Sequence, residues 1–215
     1  MKRLLSTVFS VAVLAFIVGC SVQADKGKQD NQETVETAMV GQAAPDFKLA
    51  DANGNQHALS DFEGKYVVLE WVNFDCPFVR KHYDVENMQA LQAAYVKNDV
   101  VWLSICSSAP GKQGYFEGQE LLDRIERENL KASAYLVDTK GEVGRLYGAK
   151  TTPNMYVVNP EGVLIYAGAI DDKPSTKSAD IPGSNNYVVA ALTAAMTSQD
   201  IEIKSTQPYG CSVKY

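Results

Sequence analysis

Leu69-Glu-Trp-Val-Asn-Phe-Asp-Cys-Pro-Phe-Val-Arg-Lys-His-Tyr83 contains the change of pattern on which the fold turns. The apolar run leading into it, Tyr66 to Leu69, reads as a strand. The three-to-four spacing after it (Val79, Tyr83, then Met88, Leu91 and Tyr95) reads as a helix, with its first turn set apart near Asp84. Cys76 sits where the strand ends and the helix begins. Pro77 takes the first helical position, where a missing N–H has no partner to lose. A thiol there feels the unpaired N–H groups of the first turn and the positive end of the helix dipole, both of which favour the thiolate. A lone cysteine is most often buried filler. Strand, cysteine, proline and helix in this order point instead to a reactive sulfur.

Working outward, Asp99 to Cys106 is the next strand. Strand, helix and strand make a βαβ unit, so the two strands are expected to be parallel with a right-handed crossover. Parallel strands present their C-terminal ends on one edge, which brings Cys106 to the same edge as Cys76. Upstream, Pro45 to Leu49 and the turn Asp51-Ala-Asn-Gly-Asn55 predict an edge hairpin. Downstream come a helix over Gln119–Leu130, a strand over Ala134–Val137, a helical turn over Gly141–Leu146 and strands over Asn154–Val158 and Val163–Ile170. A helix capped by Ser184 follows, and then a tail from Ile201 to Tyr215 that carries Cys211. After Pro208 and Gly210 this tail is expected to move.

Several pieces together resemble the thioredoxin superfamily, in its redoxin branch of alkyl hydroperoxide reductase and thiol-specific antioxidant proteins. They are Trp71 to Cys76-Pro77, Gly41-Gln-Ala-Ala-Pro-Asp-Phe47, Leu59-Ser-Asp-Phe-Glu-Gly-Lys65 and Thr151-Thr-Pro153. The resemblance covers residues 41–215 and is nearest to a peroxiredoxin-like subgroup with a single active-site cysteine. That subgroup carries Asp-Cys-Pro-Phe-Val-Arg at the site and Gly-Cys-Ser-x-Lys near the C-terminus, matched here by Asp75–Arg80 and Gly210–Lys214. It implies an α/β thioredoxin-like fold, a mixed central sheet flanked by helices with the N-terminal hairpin as an extension. It also implies that Pro77, Thr152 and Pro153 position the substrate, with a cis peptide before Pro153 facing the active cysteine.

The residues narrow the chemistry. Dithiol exchange within Cys-x-x-Cys is excluded, because Val79 holds the second position. The Pro-x-x-x-Thr-x-x-Cys peroxidase pattern is absent, since Leu69 and Asn73 stand in those places. What remains is Cys76 as nucleophile, resolved by Cys211, by Cys106 or by an external thiol, with Cys211 favoured on the resemblance. Arg80 and Lys81 lie within about one turn of Cys76 and would favour its thiolate, while Asp75 would oppose it. With His82 they more simply read as a solvated helix face, and Trp71 and Phe74 as core. No cofactor or metal is expected: copper carriers of this fold need Cys-x-x-x-Cys and a later histidine, whereas position 80 is Arg80 and no histidine follows His82.

The start of the chain says where this chemistry takes place. Met1-Lys-Arg3, an apolar run from Leu4 to Val18 and Ile17-Val-Gly-Cys20 resemble a lipoprotein signal over residues 1–19, with Cys20 lipidated. Residues 20–40 read as a polar tether, reaching roughly 25 Å if flexible. The domain expected over 41–215 is long enough for one well-buried core. Loss of Lys2 and Arg3 with the leader takes the basic count from 20 to 18 against 26 acidic residues. No basic patch suggests nucleic acid, and membrane contact is expected through the lipid alone. Of four cysteines, Cys20 is assigned to lipid, and three remain for the domain. The expected protein is an envelope enzyme, lipid-anchored to a bacterial membrane (the outer one in a diderm, facing the periplasm). It would exchange electrons with a thiol or disulfide protein or a small thiol reductant, in disulfide exchange or antioxidant defence. The alternative is a catalytically degenerate redoxin-fold lipoprotein that serves as a binding module.

Overall fold

The structure is a computed structural model that describes residues 37–215. The leader, Cys20 and the tether as far as Glu36 lie outside the described residues. In chain order the elements are β1 (Lys48–Asp51), β2 (Gln56–Ala58), β3 (Val67–Trp71), α1 (Pro77–Tyr83), α2 (Asn87–Lys97), β4 (Val101–Cys106), α3 (Gly118–Arg127) and β5 (Ala134–Val137). Then come α4 (Glu142–Leu146), β6 (Thr151–Thr152), β7 (Asn154–Val158), β8 (Leu164–Gly168), α5 (Tyr187–Met196) and β9 (Cys211–Ser212).

Seven strands form one sheet in the order β2-β1-β5-β4-β3-β7-β8, and β6 pairs with β9 in a separate two-stranded sheet. β3, β4 and β5 run parallel, as the βαβ reading requires, while β1 and β7 run antiparallel to their neighbours in this mixed sheet. The hairpin turns at Asn53-Gly54, where Gly54 takes φ +87° and Asp51 Oδ1 accepts the N–H groups of Asn53 and Asn55. It closes one edge of the sheet.

Every residue of β3 and β4 is buried, because helices cover one face and loops with α4 cover the other. Val68 packs with Phe74, Val79, Tyr83, Met88 and Leu192 on one side. Leu69 and Trp71 pack with Leu103, Ile105, Tyr147 and Tyr156 on the other. Within this run Glu70 is also fully buried. Its carboxylate accepts from Trp102 Nε1 (2.8 Å), Ser104 Oγ (2.9 Å), Gln92 Nε2 (3.0 Å) and the Tyr83 hydroxyl (2.9 Å). A buried carboxyl group inside an apolar strand therefore ties β3 to β4, α1 and α2.

Several boundaries differ from expectation for local reasons. The cap of α5 is Asn186, whose Oδ1 accepts from Val189 N–H, whereas Ser184 Oγ donates to the Ile181 carbonyl and closes a preceding 3₁₀ turn. Packing on the domain starts ahead of Gly41: Ala38 N–H donates to Leu146 O, and Ala38 and Val40 rest on the core. The C-terminal tail is fastened rather than loose. Thr206 Oγ1 accepts from Ala169 N–H, β9 pairs Cys211 with Thr152 and Ser212 with Thr151, and Tyr215 donates to Ala149 O at 2.7 Å.

Candidate functional site: two sulfurs under the C-terminal strand

β3 delivers the chain to the C-terminal edge of the sheet, and Cys76 takes the N-cap of α1 with extended backbone (φ −81°, ψ 125°). Its carbonyl accepts from the N–H groups of Val79 and Arg80, so the cysteine backbone is locked into the first turn. Pro77 follows at the surface. The side chain of Cys76 is fully buried. Its sulfur lies 3.1 Å from the Thr152 carbonyl oxygen and 2.7 Å from Cys211 Sγ. The latter separation lies between the roughly 2.05 Å of a disulfide bond and the ordinary contact of two thiols, and both cysteines are free. The Thr152–Pro153 peptide facing it is cis.

The two thiols are driven apart electrostatically. Burial raises the Cys76 pKa. The Cys211 side chain, the Thr152 side chain and the N–H groups of Cys211 and Val79 outweigh it, and the thiol is held below its ordinary value. The Thr152 carbonyl works the other way, since it accepts only from the protonated form. Burial and the adjoining Cys76 sulfur push Cys211 up to about 11. Cys76 is therefore the more acidic thiol of the pair. The seven-residue α1 contributes the Val79 N–H to this balance.

The charged neighbours stand elsewhere than a solvated face would put them. Arg80 is committed to Glu128 and Asp84. Asp75 is held 2.8 Å from Arg124, which offsets its opposition to the thiolate. Lys81 is fully buried at its side chain and binds Asp171 at 3.0 Å. His82 is buried as well: Asn87 donates to its Nδ1, which places the ring proton on Nε2, 3.7 Å from Asp171. Burial lowers its pKa to about 4, so it is neutral, and its two ring nitrogens face Asn87 and Asp171. The expected solvated face is thus half interior, because the loop after β8 covers it. Trp71 and Phe74 are core, as expected, with Trp71 Nε1 donating to Ser107 Oγ.

Cys106 ends β4 and is buried, with its sulfur 3.4 Å from Gly114 O and beside Tyr135 rather than a second thiol. The Thr152 hydroxyl is buried and committed to no other group, which leaves it free to donate to a Cys76 thiolate. Sequence reasoning missed Asp171 and Tyr209, which flank the site. The legible signals were a lone tyrosine two residues before Cys211 and an acidic pair, Asp171-Asp172, at the end of a strand.

A thiol at a strand–helix turn, opposite a threonine and a cis proline on a mixed sheet, defines a thioredoxin-like protein. Residues 40–167 match the AhpC/TSA family, and the chain belongs to that family. It is similar to the thiol-disulfide oxidoreductase ResA of Geobacillus kaustophilus, 32% identical over 128 residues covering 53% of this chain and 72% of the relative. Among solved structures it is similar to an uncharacterized conserved protein of Geobacillus kaustophilus (TM-score 0.69, 24% identity, 82% of this chain and 92% of the other). A hypothetical protein of Sinorhizobium meliloti is also similar in fold (TM-score 0.65, 23% identity, 84% of this chain and 96% of the other).

Proposed function

We propose that the protein is a thiol-disulfide oxidoreductase in which Cys76 attacks and Cys211 resolves. The observation that carries this is the 2.7 Å approach of the two sulfurs, with Cys211 brought there by the β6–β9 pair. The family and the similarity to ResA support redox chemistry. The Cys76 thiolate attacks one sulfur of a partner disulfide, forming a mixed disulfide and releasing the partner's other sulfur as a thiolate. Cys211, once deprotonated, attacks Cys76 Sγ and releases the partner's second thiolate. The protein ends with a Cys76–Cys211 disulfide, two electrons poorer, and the partner ends as a dithiol. Two equivalents of an external thiol, leaving as their own disulfide, return the protein to its dithiol form.

Cys76 is buried under β9, which pairs with Thr152, so the partner's chain would take its seat on the Thr152–Pro153 segment, with Pro77 against it, when β9 lifts from that segment. The basic, apolar leader and Cys20 support a lipid-anchored life in the cell envelope, facing the periplasm if there is an outer membrane. The net acidity of the chain fits protein or small-thiol partners better than nucleic acid. The test is peptide mapping of the oxidised, non-reduced protein, with turnover of a disulfide-bonded peptide by Cys76→Ser, Cys211→Ser and Cys106→Ala. The expected result is a Cys76–Cys211 crosslink, loss of turnover in Cys76→Ser, mixed-disulfide accumulation in Cys211→Ser and little change in Cys106→Ala. Full function after Cys76→Ser would overturn the reading in favour of a binding module. A Cys76–Cys106 crosslink would overturn the choice of Cys211.

A further inference from the structure

We propose that Tyr209, gripped by the buried Lys81–Asp171 pair, is the positioning residue that sets how often Cys211 meets Cys76. The proposal rests on the reading that these two sulfurs form a disulfide.

Lys81 projects from α1, the helix that Cys76 caps, so sulfur and ammonium are fixed relative to one another by a single element. Its Nζ reaches Asp171 Oδ2 at 3.0 Å, Oδ1 at 3.3 Å, the Lys173 carbonyl at 2.8 Å and the Tyr209 hydroxyl at 3.4 Å. The Lys81 and Asp171 side chains are 0% and 2% exposed, so this is an ion pair removed from water, with its polar atoms occupied. The Tyr209 hydroxyl donates to Asp171 Oδ1. The ring of Tyr209 lies 5.5 Å from the Lys81 ammonium and packs edge-on to Phe78, the second residue after Cys76. Tyr209 is therefore held by three side chains, two of them from the helix that Cys76 begins.

From Tyr209 to Cys211 the chain has two steps, which span at most about 7 Å. Movement at Tyr209 passes directly to the sulfur. A buried salt bridge is weak evidence for net stability, since an apolar pair of like volume often serves as well. What an apolar pair would not supply is a directional acceptor for the Tyr209 hydroxyl, and with it a fixed place for the tail.

The experiment equilibrates the full-length protein, purified in detergent, with mixtures of glutathione and its disulfide. Protein dithiol plus glutathione disulfide gives protein disulfide plus two glutathione thiols, and the equilibrium constant is the effective concentration of Cys211 at Cys76. It is read by mapping the Cys76–Cys211 peptide pair. Tyr209→Phe, which keeps the ring and removes the donor, should lower this constant by about tenfold, or roughly 30 mV for a two-electron couple. The double variant Lys81→Met with Asp171→Leu, which strands no buried charge, should lower it similarly. Tyr147→Phe, which deletes a comparable bond to the Pro45 carbonyl on the opposite side of the sheet, should leave it within about twofold of wild type and control for lost stability. Wild-type values in both Tyr209→Phe and the double variant, with the disulfide still forming, would overturn the proposal while leaving the redox reading intact. Failure of the wild-type protein to form the Cys76–Cys211 disulfide would instead remove the reading on which it rests.

Discussion

Gly210 passes so close to Thr152 that a methyl group on it would lie 2.0 Å from the Thr152 carbonyl oxygen. That same oxygen is 3.1 Å from Cys76 Sγ. The tail and Cys76 therefore share one peptide group, and the glycine is what lets the tail lie against it. Gly210 also has φ +140°, a backbone conformation that a side chain opposes.

Gly210→Ala should consequently lift the tail rather than unfold the domain. A strained backbone position costs about 1–3 kcal/mol, and a clash with main chain is relieved most cheaply where the segment is short and terminal. The expected outcome is faster alkylation of Cys76 in reduced protein and a lower yield of Cys76–Cys211 disulfide. Thermal unfolding should shift far less than the alkylation rate. Unchanged alkylation would mean that the tail absorbs the methyl group in place.

The thiols should titrate in opposite directions from the ordinary value. Site-resolved alkylation against pH should give Cys76 a midpoint below 9.0 and Cys211 one near 11. Cys211→Ala removes a donor to the thiolate and should raise the Cys76 midpoint. The stability effects have opposite signs. The depressed Cys76 value gives a contribution present above its unfolded pKa and lost as pH falls through the folded one. The raised Cys211 value gives a contribution present below its unfolded pKa and lost as pH rises towards about 11. Amide exchange at β9 in reduced protein should therefore speed up over that upper window beyond ordinary base catalysis.

The elements around Cys76 were legible because each rests on a local pattern. β3, α1 and β4 follow from apolar runs and spacing, the hairpin from Asn-Gly, and the N-cap cysteine from its proline. The tail was not legible, because what fixes it is long-range. Cys211 is paired with Thr152 in β6, Tyr209 is held by Lys81 and Asp171, and Tyr215 lies over Gly141 and Gly144. None of these contacts leaves a periodic trace. Pro208 and Gly210 suggested freedom, yet Gly210 serves close packing. Lys81 and His82 misled for a related reason: a charged residue on a short helix reads as exposed until the loop that covers it is known.

Arg80 provides a sharp contrast between proximity in sequence and contact in space. It pairs with Glu128 and Asp84, and Glu128 is largely buried and shared with Arg124. Arg80→Ala should leave the alkylation midpoint of Cys76 unmoved and cost about 1–3 kcal/mol in urea unfolding through the partly unpaired Glu128. A marked rise of the Cys76 midpoint would show that Arg80 acts on the sulfur after all.

Glu70 links the strand before Cys76 to the helices behind it, and its pH dependence identifies how. Burial raises its pKa above 4.5 despite the donors from Trp102, Tyr83, Ser104 and Gln92, which pull it down. A raised folded pKa gives a contribution that is full below the unfolded value and declines as pH rises through the folded one. Glu70→Leu leaves the buried donors of Trp102, Ser104 and Tyr83 without their acceptor, while Gln92 keeps the Tyr83 hydroxyl, and should cost about 4 kcal/mol or more. Glu70→Gln keeps an oxygen for Trp102, Ser104 and Gln92, and the Tyr83 hydroxyl can turn to accept from the new amide. It should be far milder. Because glutamine does not titrate, the advantage of wild type over Glu70→Gln should be largest below pH 4.5 and shrink as pH rises above it. Urea unfolding of both proteins across that range makes the comparison. An advantage that grows with pH would mean that the four donors outweigh burial and that Glu70 is held as a carboxylate.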